Sequence, residues 1–528
     1  MTGPGQTGPG SADPWPGGAA EAVGAPVEVD PRLLDDLLRA EAARAVAERP
    51  PGVAADPWRQ AFHIQPPIGL LNDPNGLVQH RGTYHLCYQW HPFAPAHRLK
   101  FWAHLTSTDL IHWTEQPIAL APSHAYESHG CYSGSGIVVD DAVRFLYTGN
   151  VRTPDGSRTP YQLLATLDPD GTVVKHLGNP LVGAIPGCTS HVRDPKVWTR
   201  DGWHWMVLGA QTEDLHGTAL LLRSADLVEW EYRGQLAGGA EQPFGYMWEC
   251  PDLVALGDRD MLVISPQLDH GPEAGAARWE DVSVYAVGSL DLDTAQFSHD
   301  QPWRRVDAGP DFYAPQTFQA EDGRTIMVGW MGMPDHDGQP TLADKHPSAA
   351  NGWVHCLTVP REVALDGDVL VQRPAVELDL LRGAPRSEVG ALLGADTSMA
   401  ISGTAGAALD IELVATCEPG GTIAVRLREG DSGRPVVLTL APHAGTATLD
   451  RTRLGTGEGG VFTGSFRPGP RVDARILLDH SSIEVFVDGG RLAMSARIYP
   501  VDGDIQVGFD AGGAPATLDV TAWPMAPA

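Results

Sequence analysis

Short apolar runs, many alternating with polar residues, recur along most of the 528 residues, with Gly, Pro, Asp and Ser between them. A period of two broken by turn residues predicts β-strands and an all-β chain. One segment departs from it. From Pro31 to Glu48 the run LLDDLLRAEAARAVAE has helical spacing, clusters Leu33, Leu34, Leu37 and Leu38 on one side, and stops at Pro50-Pro51. Residues 1–30, rich in Gly and Pro, read as a disordered tail, so residues 1–58 form a tail and helix ahead of the first strand.

From residue 59 to 373 the strands repeat, at an interval of roughly 60 residues, a little long for four strands of a propeller blade. The clearest member of each unit is its second strand: Thr83–Gln89, Val143–Thr148, Trp203–Leu208, Asp260–Ser265 and Thr325–Trp330. A first strand precedes each one: Gly76–Gln79, Gly136–Val139, Lys196–Thr199, Asp252–Ala255 and Gln316–Gln319. Third strands follow, two with matching ends, Ser107–Trp113 (STDLIHW) and Ser224–Trp230 (SADLVEW). Five such units predict a five-bladed β-propeller whose first strands line a central channel. After Arg373 the pattern changes. Residues 374–384 read as a linker with a short helix at Pro374–Arg382. Residues 385–528 read as a β-sandwich with strands at Leu409–Ala415, Thr422–Leu427, Pro435–Leu440, Val472–Leu478, Ser482–Val487 and Ile505–Phe509.

Composition narrows the function. Acidic residues outnumber basic ones 66 to 37, for a net charge of -29, which argues against nucleic-acid or membrane-surface partners. Six irregularly spaced cysteines, with no C-x-x-C pair and no zinc spacing, read as free thiols of a reducing compartment. The N-terminus lacks the basic start and apolar core of a signal peptide, and no stretch approaches a membrane span. The expectation is a cytoplasmic protein with no metal and no cofactor. Its oligomeric state is not legible.

Three acidic motifs carry the chemistry: Asn72-Asp73-Pro74-Asn75-Gly76, Arg193-Asp194-Pro195 and Glu249-Cys250-Pro251. Singly, each reads as a turn, a surface ion pair or a strand start. Together they place Asp73, Asp194 and Glu249 just before the first strands of units one, three and four, at one end of the channel. Carboxylates brought together repel one another, a cost tolerated mainly where function requires it. Around them stand Asn72, Gln89, Trp102, Tyr132, Ser133, Arg193, Cys250, Tyr313 and Trp330. Polar groups that pair with hydroxyls, beside aromatic faces, suit a sugar. For Trp102, Trp248 and Trp330, packing between blades is an equal alternative.

These residues resemble glycoside hydrolase family 32, the invertase and β-fructofuranosidase family. Its carriers are LNDPNG at Leu71–Gly76, YSGS at Tyr132–Ser135, RDP at Arg193–Pro195, WECPD at Trp248–Asp252, DFYAPQ at Asp311–Gln316, GWMG at Gly329–Gly332 and IEVFVD at Ile483–Asp488. The resemblance implies a five-bladed propeller with a C-terminal sandwich and a retaining mechanism. It further implies Asp73 as nucleophile, Asp194 as transition-state stabiliser and Glu249 as acid/base. Such chemistry needs Asp73 ionised, Glu249 carrying a proton, and Arg193 keeping Asp194 charged. Two positions depart from the family pattern: Val192 stands where Phe is frequent, and His97 where a tryptophan borders the substrate.

The N-terminal helix and the ADPWR and HIQPP segments resemble the bacterial cytoplasmic branch that includes sucrose-6-phosphate hydrolases. The expected substrate is sucrose, phosphorylated or not, with short fructo-oligosaccharides and fructosyl transfer as alternatives. A sugar-binding propeller without catalysis is the alternative of another class. Arg98 and Lys100 are candidates for meeting a phosphate, or else solvated loop charges.

Overall fold

The computed structural model describes residues 30–153, 156–268, 281–335, 341–400, 405–501 and 503–528, so the expected tail lies almost wholly outside the described residues. The helix runs Pro31–Ala47, with Asp30 capping it by accepting from the Arg32 amide at 2.9 Å. Arg39 fastens it to the first sheet by donating to the carbonyls of Ile118 and Ala119. The four leucines do not share one buried face. Leu34 and Leu38 are partly covered, while Leu33 and Leu37 are exposed. Among the described residues no helix is long and apolar enough to cross a membrane.

Five antiparallel sheets follow in chain order. Their first strands are Gly69–His80, Cys131–Val139, Cys188–Arg200, Met247–Leu256 and Tyr313–Gln319. Each first strand touches the next, and the fifth touches the first. The first sheet also takes up Trp353–Val354 in parallel beside Gly69–Leu70, tying late chain to early chain. The repeated motif folds twice in the same way. Asp109 accepts from the amides of Ile111 and His112, and Asp226 from those of Val228 and Glu229. The Trp113 and Trp230 indoles then donate to the carbonyls of Leu110 and Leu227.

The first strands begin earlier than their apolar pattern suggests, because each continues through a β-bulge. Between Leu71 and Pro74, Cys131 and Gly134, Arg193 and Lys196, Glu249 and Asp252, and Tyr313 and Gln316, three steps oppose two on the neighbouring strand. The acids therefore lie within the first strands, not ahead of them. They also differ in phase: Asp73 and Asp194 sit inside a bulge, whereas Glu249 opens one. A bulge turns side chains that would alternate between faces toward a single point. Asp194, Cys250 and Ala314 adopt φ of 64°, 43° and 47° there, a conformation unfavourable for residues with a Cβ. Gly76 (φ +59°) allows a further close approach, since a Cβ there would lie 3.0 Å from the Phe145 ring.

The linker helix is a 3-10 turn at Val376–Leu381. Beyond it, two six-stranded antiparallel sheets make the β-sandwich. Alternation is plain in Leu409–Cys417, where Leu409, Ile411, Leu413, Ala415 and Cys417 face an apolar core. Ser482–Val487 is buried on both faces, and on the outer one Glu484 meets His63, Val359 and Arg361. Arg361 meets Asp307 and Glu484 at this seam, and His63 sits between Asp479 and Glu484.

Candidate active site

The five bulges bring Asp73, Asp194 and Glu249 together. Asp73 Oδ2 accepts from Ser133 Oγ at 2.5 Å and from Gln89 Nε2 at 3.3 Å, and Oδ1 accepts from Asn72 Nδ2 at 3.2 Å. Gln89 also donates to Ser133, and Asn72 to Gln89 Oε1 at 2.9 Å. Lys100 completes the row by donating to Asn72 Oδ1 at 2.7 Å. These bonds fix the amide orientations of Asn72 and Gln89 and hold the Asp73 carboxylate at one angle.

Asp194 is anchored from both sides. Its amide donates to Thr148 Oγ1 at 2.9 Å, and its Oδ2 accepts from the Cys250 amide at 3.0 Å. Cys250 Sγ lies 3.7 Å from the Oδ2 atoms of both Asp73 and Asp194, so one thiol separates the two carboxylates. Burial pushes that thiol well up, and the neighbouring carboxylates push it further, which keeps it protonated and a poor nucleophile. Glu249 Oε1 accepts from Arg193 Nη2 at 2.8 Å, and Oε2 accepts from the Tyr313 hydroxyl at 3.0 Å.

Arg193 does not serve Asp194 as expected. Its close contact goes to Glu249, while its Nε stands 3.8 Å from Asp194 Oδ2. Asp194 is accordingly pushed up to about 7, by burial first, with Arg193 opposing and Glu249 and Asp73 adding to it. Asp73 is raised by burial and by the Glu249 charge, against the hydrogen bond from Ser133 and the charge of Lys100. Lys100 falls to about 7 through burial. Burial and mutual repulsion therefore make Asp73 and Asp194 hold a proton more tightly than an exposed carboxyl would, and the two are coupled.

The aromatic residues divide. Trp102 is fully buried against Phe145 and Tyr147, and its indole donates to the Tyr132 carbonyl at 3.1 Å. It packs between sheets and positions the Tyr132-Ser133 bulge, so the sugar-facing reading does not hold for it. Trp248 is likewise buried, with its indole donating to the Phe244 carbonyl. Trp330 borders Tyr313 and His97, and its indole N–H has no hydrogen-bond partner among the described residues. The loop cations also divide. Arg98 is exposed, but Lys100 is buried beside Asn72 and is no solvated loop charge. Sequence reasoning missed Thr148, and it missed His191, whose Nδ1 lies 3.2 Å from Arg193 Nη1. The bulge that brings them in leaves no mark in an apolar pattern.

Models of glycosyl hydrolases family 32 match the chain twice, the N-terminal domain over residues 63–374 and the C-terminal domain over 377–524. The chain shares 38% identity over 506 residues with the sucrose-6-phosphate hydrolase of Bacillus subtilis (strain 168), covering 93% of this chain and 98% of that protein. Among solved structures it is similar to sucrose-6-phosphate hydrolase from Lactobacillus gasseri, with a TM-score of 0.81, 27% identity and coverage of 92% and 96%. It is also similar to a mutant Bombyx mori β-fructofuranosidase in complex with sucrose, with a TM-score of 0.77, 30% identity and coverage of 93% and 98%. Fold and relatives define the class, a glycoside hydrolase built from two β-rich parts. The chain belongs to glycosyl hydrolases family 32.

Proposed function

We propose that the protein is a retaining β-fructofuranosidase that removes the terminal fructosyl unit from sucrose or sucrose-6-phosphate. The observation carrying this reading is the convergence of Asp73, Asp194 and Glu249 on neighbouring bulges, each held by its own hydrogen bonds. The names of the relatives, sucrose-6-phosphate hydrolase above all, support the substrate.

In this reading Glu249 serves as the general acid and Asp73 as the nucleophile. Asp73 Oδ attacks the anomeric carbon of fructose while Glu249 gives its proton to the departing glycosidic oxygen. Positive charge develops on the fructosyl ring as the bond breaks. Asp194, ionised at that moment, holds the ring hydroxyls and steadies that charge. Glu249, now a carboxylate, takes a proton from water, whose oxygen displaces Asp73 and releases fructose. Arg193 and Tyr313 orient Glu249, and Ser133, Gln89 and Asn72 orient Asp73. The five sheets of residues 59–373 act as a five-bladed propeller, with residues 385–528 as its supporting sandwich, and the enzyme works in the cytoplasm.

The test is hydrolysis of both sugars by purified protein, with Asp73→Asn and Glu249→Gln alongside. Glu249→Gln is expected to lose roughly 10²–10⁴-fold. On an activated fructoside, whose leaving group needs no proton, it should accumulate protein one fructosyl unit heavier, modified at Asp73. A wild-type protein inert on every fructoside overturns the reading.

A further inference from the structure

One cation beside the acid/base has no role in the mechanism above. Strands Ala142–Arg152 and Arg158–Leu167 form a hairpin in which Arg152 lies opposite Arg158. The hairpin packs on the third first strand, where Gln162 Nε2 donates to the Val192 carbonyl at 3.3 Å. His191 and Arg193 flank that point, and Arg193 reaches Glu249. Arg158 is partly buried, and the charges it feels are those of Tyr132, Arg193, Arg152 and Glu249. Its guanidinium makes no hydrogen bond or ion pair among the described residues. His191 feels the same local field. Burial and then the charges of Arg193, Arg158 and Arg152 press it down to about 3.

A partly buried arginine with no carboxylate bonded to it among the described residues is conspicuous in a chain of 66 acidic residues and net charge -29. Burial disfavours its charge, and Tyr132 and Glu249 offset only part of that cost. A guanidinium presents a planar fork that matches a phosphate, which would supply the missing counter-charge. Position selects the half of the substrate. Glu249 protonates the glycosidic oxygen of the leaving sugar, so groups around Glu249 face that sugar. Lys100 donates to Asn72 on the Asp73 side, where fructose is attacked, and is badly placed for the same task.

We propose that Arg158, flanked by Arg152 and His191, binds the phosphate monoester of a phosphorylated leaving sugar. This rests on the β-fructofuranosidase reading and adds the residue that sets its preference. The experiment is kcat/KM for sucrose-6-phosphate and for sucrose in the wild type, Arg158→Gln and Arg98→Gln. The expected ratio of phosphate to free sugar is tenfold or more in the wild type, falls at least tenfold in Arg158→Gln, and is kept in Arg98→Gln. A merely structural loss would lower both substrates together and leave the ratio intact, and that result overturns the proposal. So does a ratio near one in the wild type, although sucrose cleavage would still stand. Activity on neither sugar sinks the β-fructofuranosidase reading itself. A measurement needing no variant guards against misfolding. Glucose-6-phosphate should inhibit wild-type sucrose cleavage at least tenfold more strongly than glucose does, and equal inhibition overturns the proposal.

Discussion

Two groups of buried carboxylates lie in this molecule and are treated in opposite ways. At the site, Asp73 and Asp194 are raised, by burial first and then by one another's or Glu249's charge. At the seam, Asp479 and Glu484 are just as deeply buried, yet both are lowered. The partners account for the difference. Asp479 accepts from His63 and from the amides of Ala61 and Phe62. Glu484 accepts from His63, the Val359 amide and two nitrogens of Arg361. Asp307 accepts from Arg361, the Ser495 amide and the Ser495 hydroxyl. For Asp479 and Glu484 these cations and amides overcome desolvation. The site acids are crowded against each other, with Arg193 turned mainly to Glu249. Burial alone therefore says little about function; buried charge left partly uncompensated in a converging group says more.

The widest separation between the two groups comes from Asp73→Asn. It should cost roughly 10⁴-fold or more in kcat, while thermal stability stays level or rises, because a disfavoured buried charge is gone. A variant that unfolded readily would erase the distinction. Next is Arg361→Met at the seam, which leaves Asp307 buried without a cation and Glu484 with His63 alone. It should lower stability by about 3–5 kcal/mol, read as a shifted denaturant midpoint. An unmoved midpoint would show the seam charges to be incidental.

The pH dependence of stability sharpens the contrast further. Asp194 is raised from 3.8 to about 7, so the native protein keeps a proton that the unfolded chain has released. Its contribution therefore makes stability fall as pH rises from about 4 to about 7, and Asp194→Asn should remove that decline. For His63, burial pushes down, but hydrogen bonds to Asp479 and Glu484 win and lift it from 6.5 to about 9. Its contribution is complete below pH 6.5 and is lost as pH rises through about 9, so His63→Gln should flatten only that upper step. Thermal midpoints across pH would show both. If Asp194→Asn also removed the upper step, the two groups would not be independent. The smallest effect is Trp102→Phe, which gives up the bond to the Tyr132 carbonyl at about 1 kcal/mol without raising KM for sucrose by more than about twofold. A larger rise in KM would return Trp102 to the sugar.

Much was legible in the chain itself. Every predicted second strand lies within an observed strand, from Thr83–His91 to Thr325–Met331, because strands covered on both faces are written locally as short apolar runs between turn residues. The sandwich strand at Leu409–Cys417 was legible from its alternation, and Ser482–Val487 from its short apolar run. The sandwich strands at Arg386–Leu393, Thr446–Asp450 and Ala516–Pro524 were not singled out, being more exposed or more mixed in composition. The acidic motifs themselves were also visible, since Asp-Pro and Cys-Pro interrupt the alternation.

What the tertiary structure alone decided is where each side chain points and whom it meets. A bulge shifts register by one residue, and register is a relation between strands that neither strand encodes by itself. Hence Arg193 turned out to reach Glu249, 56 positions away, more closely than its neighbour Asp194. Trp102 proved to be packing, and Lys100 to be buried support for Asn72 rather than a surface charge. The direction in which a carboxyl's affinity for its proton moves was settled at the same level. It depends on the sum of burial, charges and hydrogen bonds converging from separate strands, and that sum does not exist until the chain has closed around it.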